Sequence, residues 1–557
     1  MNGVATKTYI RKIVIPGMAG TVGLVVVAIF IQRFFHLSGM EATLPYMLPL
    51  MPLVYVLLYP KMKMNDKRVK INSKIPFFAT YFAVLSTSDV SRSELVWNLA
   101  TEPNLEPISS DFKVVHTLMT KFHLSMPEAL RFLAKRTPSK MFANFLERLA
   151  YSLDSGVELK DYLFQEQKTV MDDYQNFYER ALYDLEVLKE VYSSLIISVV
   201  FMATFVIIGP MITGQSVLTL SFLMVIMTLI IEASVIMVVK YRMPDDPLWL
   251  STKELPVGRE EGVKTLAISL SGIAVMAFLD KLLLSRLLDI PILLQVAIVM
   301  SPLMYAGKKV EKVESIILLR NETFPAFIRT LSSSLAASGA ALHVVLKYLS
   351  FHNFGVLTDN IKRLYRRMAV RIDNDKAWQY FTKETKSWLI GMFIEIFRKS
   401  INLGADPEYV GLVLSRNFER LVRLRRKRQQ NVSSFKGVIY GITGAFAFSV
   451  AAAFQVAVYM SHLFTGVSFQ SAFLNGLLHM PSQASIELMG YLLAAVLIVH
   501  VILSSLVLKI ADGGHPSMAL YYFVVLLWLA GVGQYLGNML MSKVMSFASV
   551  ILAGVIS

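Results

Sequence analysis

The chain has 557 residues, 55% of them apolar and 17% charged, with a formal net charge of +15. That balance excludes a soluble globular protein, and recurring apolar runs of about 20 residues, long enough to cross ~30 Å of hydrocarbon, point to an all-α, polytopic helical membrane protein. The absence of cysteine excludes disulfides, iron–sulfur clusters, thiolate zinc sites and a cysteine nucleophile.

In chain order, residues 1–60 hold two predicted spans. Lys7, Arg11 and Lys12 precede an apolar run from about Ile13 to Phe30. The run lacks a small-residue cleavage site and reads as a retained helix. The second span, about Thr43 to Tyr59, ends in a basic collar of Lys61, Lys63, Lys67, Arg68, Lys70 and Lys74, which marks the cytoplasmic side. Residues 61–190 read as a cytoplasmic helical domain with 18 basic and 18 acidic residues. Its apolar residues recur at helical spacing, as in Leu130, Leu133, Phe142, Phe145, Leu146 and Leu149. Pro127 and Pro138 punctuate it, with Ser125 and Ser139 as N-cap neighbours.

Residues 191–306 hold four spans, at about 192–212, 217–240, 265–282 and 290–305. The first two are joined by a tight turn at Thr213–Ser216, and a short cytoplasmic loop, 241–264, separates the pairs. Residues 307–436 form a second cytoplasmic domain with 24 basic and 11 acidic residues, so the charge excess is local to it. Residues 437–557 hold three more spans, at about 438–461, 486–508 and 518–536. The loop 462–485 contains no Lys or Arg, as an external loop should. The count is nine spans, with the N-terminus inside the cytoplasmic membrane and the C-terminus outside.

The chain repeats itself. Phe77-Phe-Ala-Thr-Tyr-Phe-Ala-Val-Leu-Ser86 lines up with Phe324-Pro-Ala-Phe-Ile-Arg-Thr-Leu-Ser332 with one residue of slack. Leu146-Glu-Arg-Leu-Ala-Tyr-Ser-Leu-Asp-Ser-Gly156 parallels Phe393-Ile-Glu-Ile-Phe-Arg-Lys-Ser-Ile-Asn-Leu-Gly404. Asn176-Phe-Tyr-Glu-Arg180 and Asn417-Phe-Glu-Arg420 follow, and each leads through a long polar helix into a span. This pattern resembles the F-type domain of type II secretion and type IV pilus platform proteins. Two copies within nine spans resemble the archaeal members, the platform proteins of the archaellum and archaeal pili, over residues 61 to 537. The loops Pro244-Asp-Asp-Pro-Leu-Trp249 and Ala511-Asp-Gly-Gly-His-Pro516 support the resemblance. It implies a scaffold in the lipid membrane that couples a cytoplasmic hexameric secretion ATPase to insertion of pilin or archaellin subunits, with a symmetric homodimer expected.

Catalytic chemistry is hard to find. There is no G-x-x-x-x-G-K-[ST] loop; Gly258-Arg-Glu-Glu-Gly262 has the wrong spacing for phosphates. No H-E-x-x-H occurs, and the nine histidines are scattered. Ser110-Asp-Phe-Lys113 fits S-x-x-K at chance level, and Asp512-Gly-Gly suits a short turn. No enzyme activity, cofactor or metal is expected. The remaining signals are electrostatic. Lys362, Arg363, Arg366, Arg367 and Arg371 fall largely on one helical side and read as a docking face for an acidic partner, by the resemblance the ATPase. Arg420, Arg423, Arg425, Arg426, Lys427 and Arg428 crowd the helix entering the seventh span, where anchoring to anionic headgroups competes with docking. Nucleic acid is disfavoured, because no binding module accompanies the basic patch.

Glu232, eight residues before Lys240 and so ~12 Å deep at ~1.5 Å per residue, and His500, mid-span, are ionisable residues within spans and functional candidates. Asp280 and Glu487 lie near span ends. The rival reading is a repeat-built secondary transporter using Glu232 and His500. It predicts that the two converge on a water-filled cavity; the scaffold predicts that they sit apart in packed contacts.

Overall fold

The computed structural model describes residues 9–34, 43, 46, 49–214, 217–250, 256–284, 290–465 and 483–556. Most of the loop 462–485, the start of the second predicted span and part of the turn at Thr213–Ser216 lie outside them. The described residues are helical, with one isolated antiparallel bridge, Trp249 to Ser387, and no strand. The chain divides into two compact units, residues 1–78 with 92–162, and residues 79–91 with 163–557.

In the first unit, α1 (Ile15–Phe34) and the start of α2 (Leu50–Leu85) precede four short helices: α3 (Arg92–Ala100), α4 (Ile108–Lys121), α5 (Met126–Ala134) and α6 (Lys140–Asp154). Ser125 closes a capping box with Glu128 at the start of α5, satisfying backbone N–H groups that a helix start leaves open. The apolar positions at helical spacing face one core, where Phe78 lies 4.7 Å from Phe112 and 5.9 Å from both Phe142 and Phe145, ring centre to ring centre.

The second unit contains most of α7 (Leu159–Thr213), α8 (Val217–Arg242), α9 (Pro256–Leu279), α10 (Ile292–Met300) and α11 (Leu303–Ser338). A polar stretch follows: α12 (Leu342–Leu349), α13 (Thr358–Ala369), α14 (Asn374–Thr385) and α15 (Trp388–Asn402). The long helices α16 (Pro407–Thr465), α17 (Gln483–Asp512) and α18 (Met518–Ile556) close the chain. Its polar part has an aromatic core, with Phe418 4.7 Å from Phe324 and 4.9 Å from Phe393.

The order long helix, short helix, 3₁₀ turn, three helices, long helix occurs over α2–α7 and again over α11–α16. In the first run Ser139 caps α6 through Phe142 N and donates to Asn72 Oδ1 at 2.5 Å. In the second, Ser387 caps α15 through Ile390 N and donates to Asn321 Oδ1 at 2.6 Å. These contacts set the register as Asn72-x-x-x-Pro76-x-Phe78 against Asn321-x-x-x-Pro325-x-Phe327, with Phe145 against Phe393. The sequence alignment, which sets Phe77 against Phe324 and Leu146 against Phe393, is out by two residues in the first stretch and by one in the second. Each proline lacks the N–H that would bond the carbonyl of its own motif's asparagine, and Gly156 and Gly404 end the pattern at φ +75° and +80°.

Five described helices are long and apolar enough to cross a membrane: Leu159–Thr213, Thr219–Arg242, Pro407–His462, Gln483–Asp512 and Met518–Phe547. Ile15–Phe30 is a shorter apolar helix. The predicted spans at 265–282 and 290–305 fall on α9 and on α10–α11. The latter is not one continuous helix: it is interrupted at Ser301-Pro302, where proline withdraws a backbone donor.

α16 and α18 approach closely through Gly533-Gln-Tyr-Leu-Gly537, a G-x-x-x-G stripe that lets two apolar helices bring their backbones together. A Cβ on Gly533 would lie 2.5 Å from Gly444 O, and one on Gly537 2.7 Å from Phe448 O. Gly533→Ala is therefore expected to cost about 1–3 kcal/mol by overpacking, lowering the unfolding temperature of the detergent-solubilised protein. Gly441→Ala, with nothing within 4 Å of the added Cβ, is expected to leave it unchanged or raise it.

Candidate functional site

Two loops without regular structure, 244–250 and 513–517, sit at the ends of apolar helices, and their buried backbone groups need partners. Polar side chains of α11 and α16 supply them. Arg425 is bidentate to Asp246, with Nε 3.0 Å from Oδ2 and Nη2 on Oδ1, and donates to Pro247 O at 3.1 Å. One turn on, Arg428 donates from Nε to Ala511 O at 2.9 Å, from Nη1 to Pro244 O at 3.2 Å and from Nη2 to Ile510 O at 3.2 Å. One planar guanidinium thereby ties the loop after α8 to the end of α17. Gly513 makes this approach possible: a Cβ there would lie 2.8 Å from Arg428 Nη2.

Glu314 of α11 closes the other side. Its Oε1 accepts from Trp249 Nε1 at 2.8 Å and from His515 N at 2.6 Å, and a Cβ on Gly514 would lie 2.8 Å from the same oxygen. Asp512 accepts from Lys436 at 3.1 Å and from the Tyr522 hydroxyl. Loop 244–250 then pairs with the segment between α14 and α15, through Leu250 N to Lys386 O at 3.0 Å and Trp388 N to Leu248 O at 3.1 Å. A continuous polar path thus runs from Asn321 and Ser387 through Trp249 and Glu314 to His515.

The electrostatics of this junction are uneven. Burial pushes the Asp246 carboxyl up, but the Arg425 guanidinium outweighs it, with Arg428 and Tyr178 assisting, and holds the group below its ordinary value. Burial pushes Glu314 above its ordinary value against the opposing pull of the His515 N–H and Trp249. Burial, then Lys509, lowers His515.

Within the apolar helices Glu232 and His500, both 0% exposed, meet directly: His500 Nδ1 lies 2.7 Å from Glu232 Oε1. Tyr192 of α7 and Ser504 of α17 reach the same oxygen at 3.2 and 3.3 Å. His500 Nε2 lies 3.1 Å from Thr443 Oγ1 of α16, and its ring packs edge-on to Phe446. The expectation that the two sit apart is corrected. They converge, and they do so in packed helix contacts that join α7, α8, α16 and α17.

The two basic clusters part company. Arg363 and Arg367 turn toward Glu384 of α14. Lys362 and Arg366 lie on the outward side of α13 with Arg371 beyond its end; all three are exposed and have no ion-pair partner among the described residues. The expected single basic side is therefore two. The α16 cluster is paired within the chain: Arg420 with Asp172, Lys427 with Glu179, Arg426 with Glu322 and Arg423, on the same helix, with Glu419, while Arg423, Arg426 and Lys427 stay exposed. Arg425 and Arg428 are buried. Arg425 and Arg428 thus hold the loops from inside the chain, and the reading as headgroup anchor or docking face applies to the exposed Arg423, Arg426 and Lys427. The sequence reading missed Glu314, Asn72 and Asn321; the N-x-x-x-P-x-F spacing could have revealed the asparagines, whereas nothing local marks Glu314.

A family model, type II secretion system (T2SS) protein F, matches residues 78–207. The chain is 34% identical over 551 residues, 98% of its length and 97% of the relative's, to Flagella accessory protein J of Methanocaldococcus jannaschii. It is also 34% identical over 537 residues, 95% of each chain, to Flagella accessory protein J of Methanococcus voltae. No solved structure matches. Fold and match together define a multi-pass helical membrane protein built on the type II secretion F domain. The chain belongs to the Flagella accessory protein J family, the platform proteins of the archaellum, and is a membrane protein of archaellum assembly.

Proposed function

We propose that this chain is the scaffold through which a hexameric secretion ATPase on the cytoplasmic face drives archaellin subunits out of the bilayer into the base of the growing archaellum. The motor engages the second polar domain at Lys362, Arg366 and Arg371, with Arg363 and Arg367 shaping the face from beside Glu384. Its movement reaches the membrane helices through the junction. The observation that carries the reading is that junction: the polar domain is fastened to the ends of α8, α17 and α18 by Arg425, Arg428, Glu314 and the 248–250 pairing, so it cannot move without them.

The matched N-x-x-x-P-x-F and capping-serine contacts support an internal duplication, with cytoplasmic domains at 61–190 and 307–436. The basic flanks support nine spans, N-terminus inside and C-terminus outside. The reading includes a homodimer, no role for nucleic acid, and no bond-making chemistry by this chain. A transporter remains the rival because Glu232 and His500 converge, but full burial and ring packing favour a structural contact.

Sidedness is the test. The chain contains no cysteine, so Arg366→Cys introduces a single thiol. A membrane-impermeant maleimide is expected to label it in inverted vesicles and not in intact cells; labelling of intact cells would end the proposal.

A further inference from the structure

The Glu232–His500 contact carries an inference independent of the motor. Thr443 has one hydroxyl proton, and it is committed to Ile439 O at 2.8 Å. Its oxygen therefore accepts at 3.1 Å from His500 Nε2, which fixes a proton on that nitrogen. At the other end of the ring, Nδ1 and Glu232 Oε1 lie 2.7 Å apart. Two bare lone pairs would repel at that distance, so a proton lies between them. We infer that Glu232 and His500 form an intramembrane proton site, a net-neutral pair retaining one shared proton that clasps α7, α8, α16 and α17.

The groups facing the pair fit this state. From α7 the titratable group is Tyr192, whose hydroxyl contacts both Glu232 at 3.2 Å and Ser504 at 2.8 Å. α16 presents Thr443 and Phe446, and α17 presents Ser504. Among the described residues none of these brings a second charge. Loss of the shared proton would leave a net negative charge among apolar helices with no solvent to receive it. Removing one partner alone therefore strands the other in that setting.

The test uses the full-length protein in lipid nanodiscs with ¹⁵N-labelled histidine. One imidazole signal is expected to show both nitrogens protonated or strongly hydrogen-bonded, to vanish in His500→Gln and to show a weaker hydrogen bond at Nδ1 in Glu232→Gln. A His500 signal with a bare Nδ1 overturns the inference. Thermal unfolding gives a second reading should a variant fold poorly: Glu232→Leu and His500→Leu alone are each expected to melt lower than the double variant. A double variant melting at or below the worse single would contradict the shared clasp.

Discussion

Arg425→Ala is expected to cost about 3–5 kcal/mol of stability, because removing one partner of a buried pair leaves the other uncompensated. Arg425 is buried and Asp246 largely so, and the guanidinium also holds Pro247 O. The double variant Arg425→Leu with Asp246→Leu is expected to recover much of the loss, since replacing both partners by apolar groups can be near neutral. The acid profile separates the cases. Asp246 is held below its ordinary value, so its contribution in the parent is present above the unfolded-state value of about 3.9 and is lost as pH falls through the folded value. Without Arg425 the buried carboxyl prefers its proton. Arg425→Ala is then weakest at neutral pH and its deficit narrows on acidification. Chemical unfolding of detergent-solubilised protein at two pH values checks the sign.

Glu314→Ala is expected to abolish archaellum assembly while the protein still inserts and still retains the motor. The substitution strands two donors, Trp249 Nε1 and His515 N, each at about 1–3 kcal/mol. It opens the link between the 244–250 loop and the turn before α18 but leaves α13 untouched. Because burial raises Glu314 above its ordinary value, its ionisation works against the folded state, so stability is greatest below that raised value and falls as pH rises through it. Glu314→Gln keeps an acceptor without the charge and is expected to preserve assembly better than Ala. Counting filaments per cell, alongside membrane levels of the chain, checks both variants.

Local signals in the sequence were strong where one helix decides the outcome. The spacing of Leu130, Phe142, Phe145 and Leu149 placed α5 and α6 with the right faces inward, and Ser125 and Ser139 cap those helices. Apolar length identified the five described helices that are long enough to cross a membrane. The recurring helix pattern was visible, but its register slipped by two residues at Phe77 and by one at Leu146, because the apolar letters of two amphipathic helices match almost equally well in neighbouring frames; the Asn–Ser contact is what distinguishes them. The G-x-x-x-G at 533–537 was legible and went unread.

Charge was least legible. Arg366 and Arg425 are the same letter in similar basic surroundings, yet one is exposed and the other is paired with Asp246, 179 residues earlier. The acids that satisfy Arg420 and Lys427, Asp172 and Glu179, lie 248 residues away, so only the packing of α7 against α16 reveals them. Glu232 and His500 each stood out as costly in a span. That they answer one another depends on α8 lying against α17, which no local pattern encodes.

The account rests on the exposed cations of α13 being where the motor takes hold. The direct measurement is co-purification of the hexameric ATPase with the solubilised chain, comparing the parent with Lys362→Glu, Arg366→Glu and Arg371→Glu combined. These positions have no ion-pair partner within the described chain, so reversal is expected to leave folding intact and to reduce ATPase recovery by an order of magnitude or more, with filaments lost. Undiminished recovery of the ATPase with a normally inserted triple variant would contradict it.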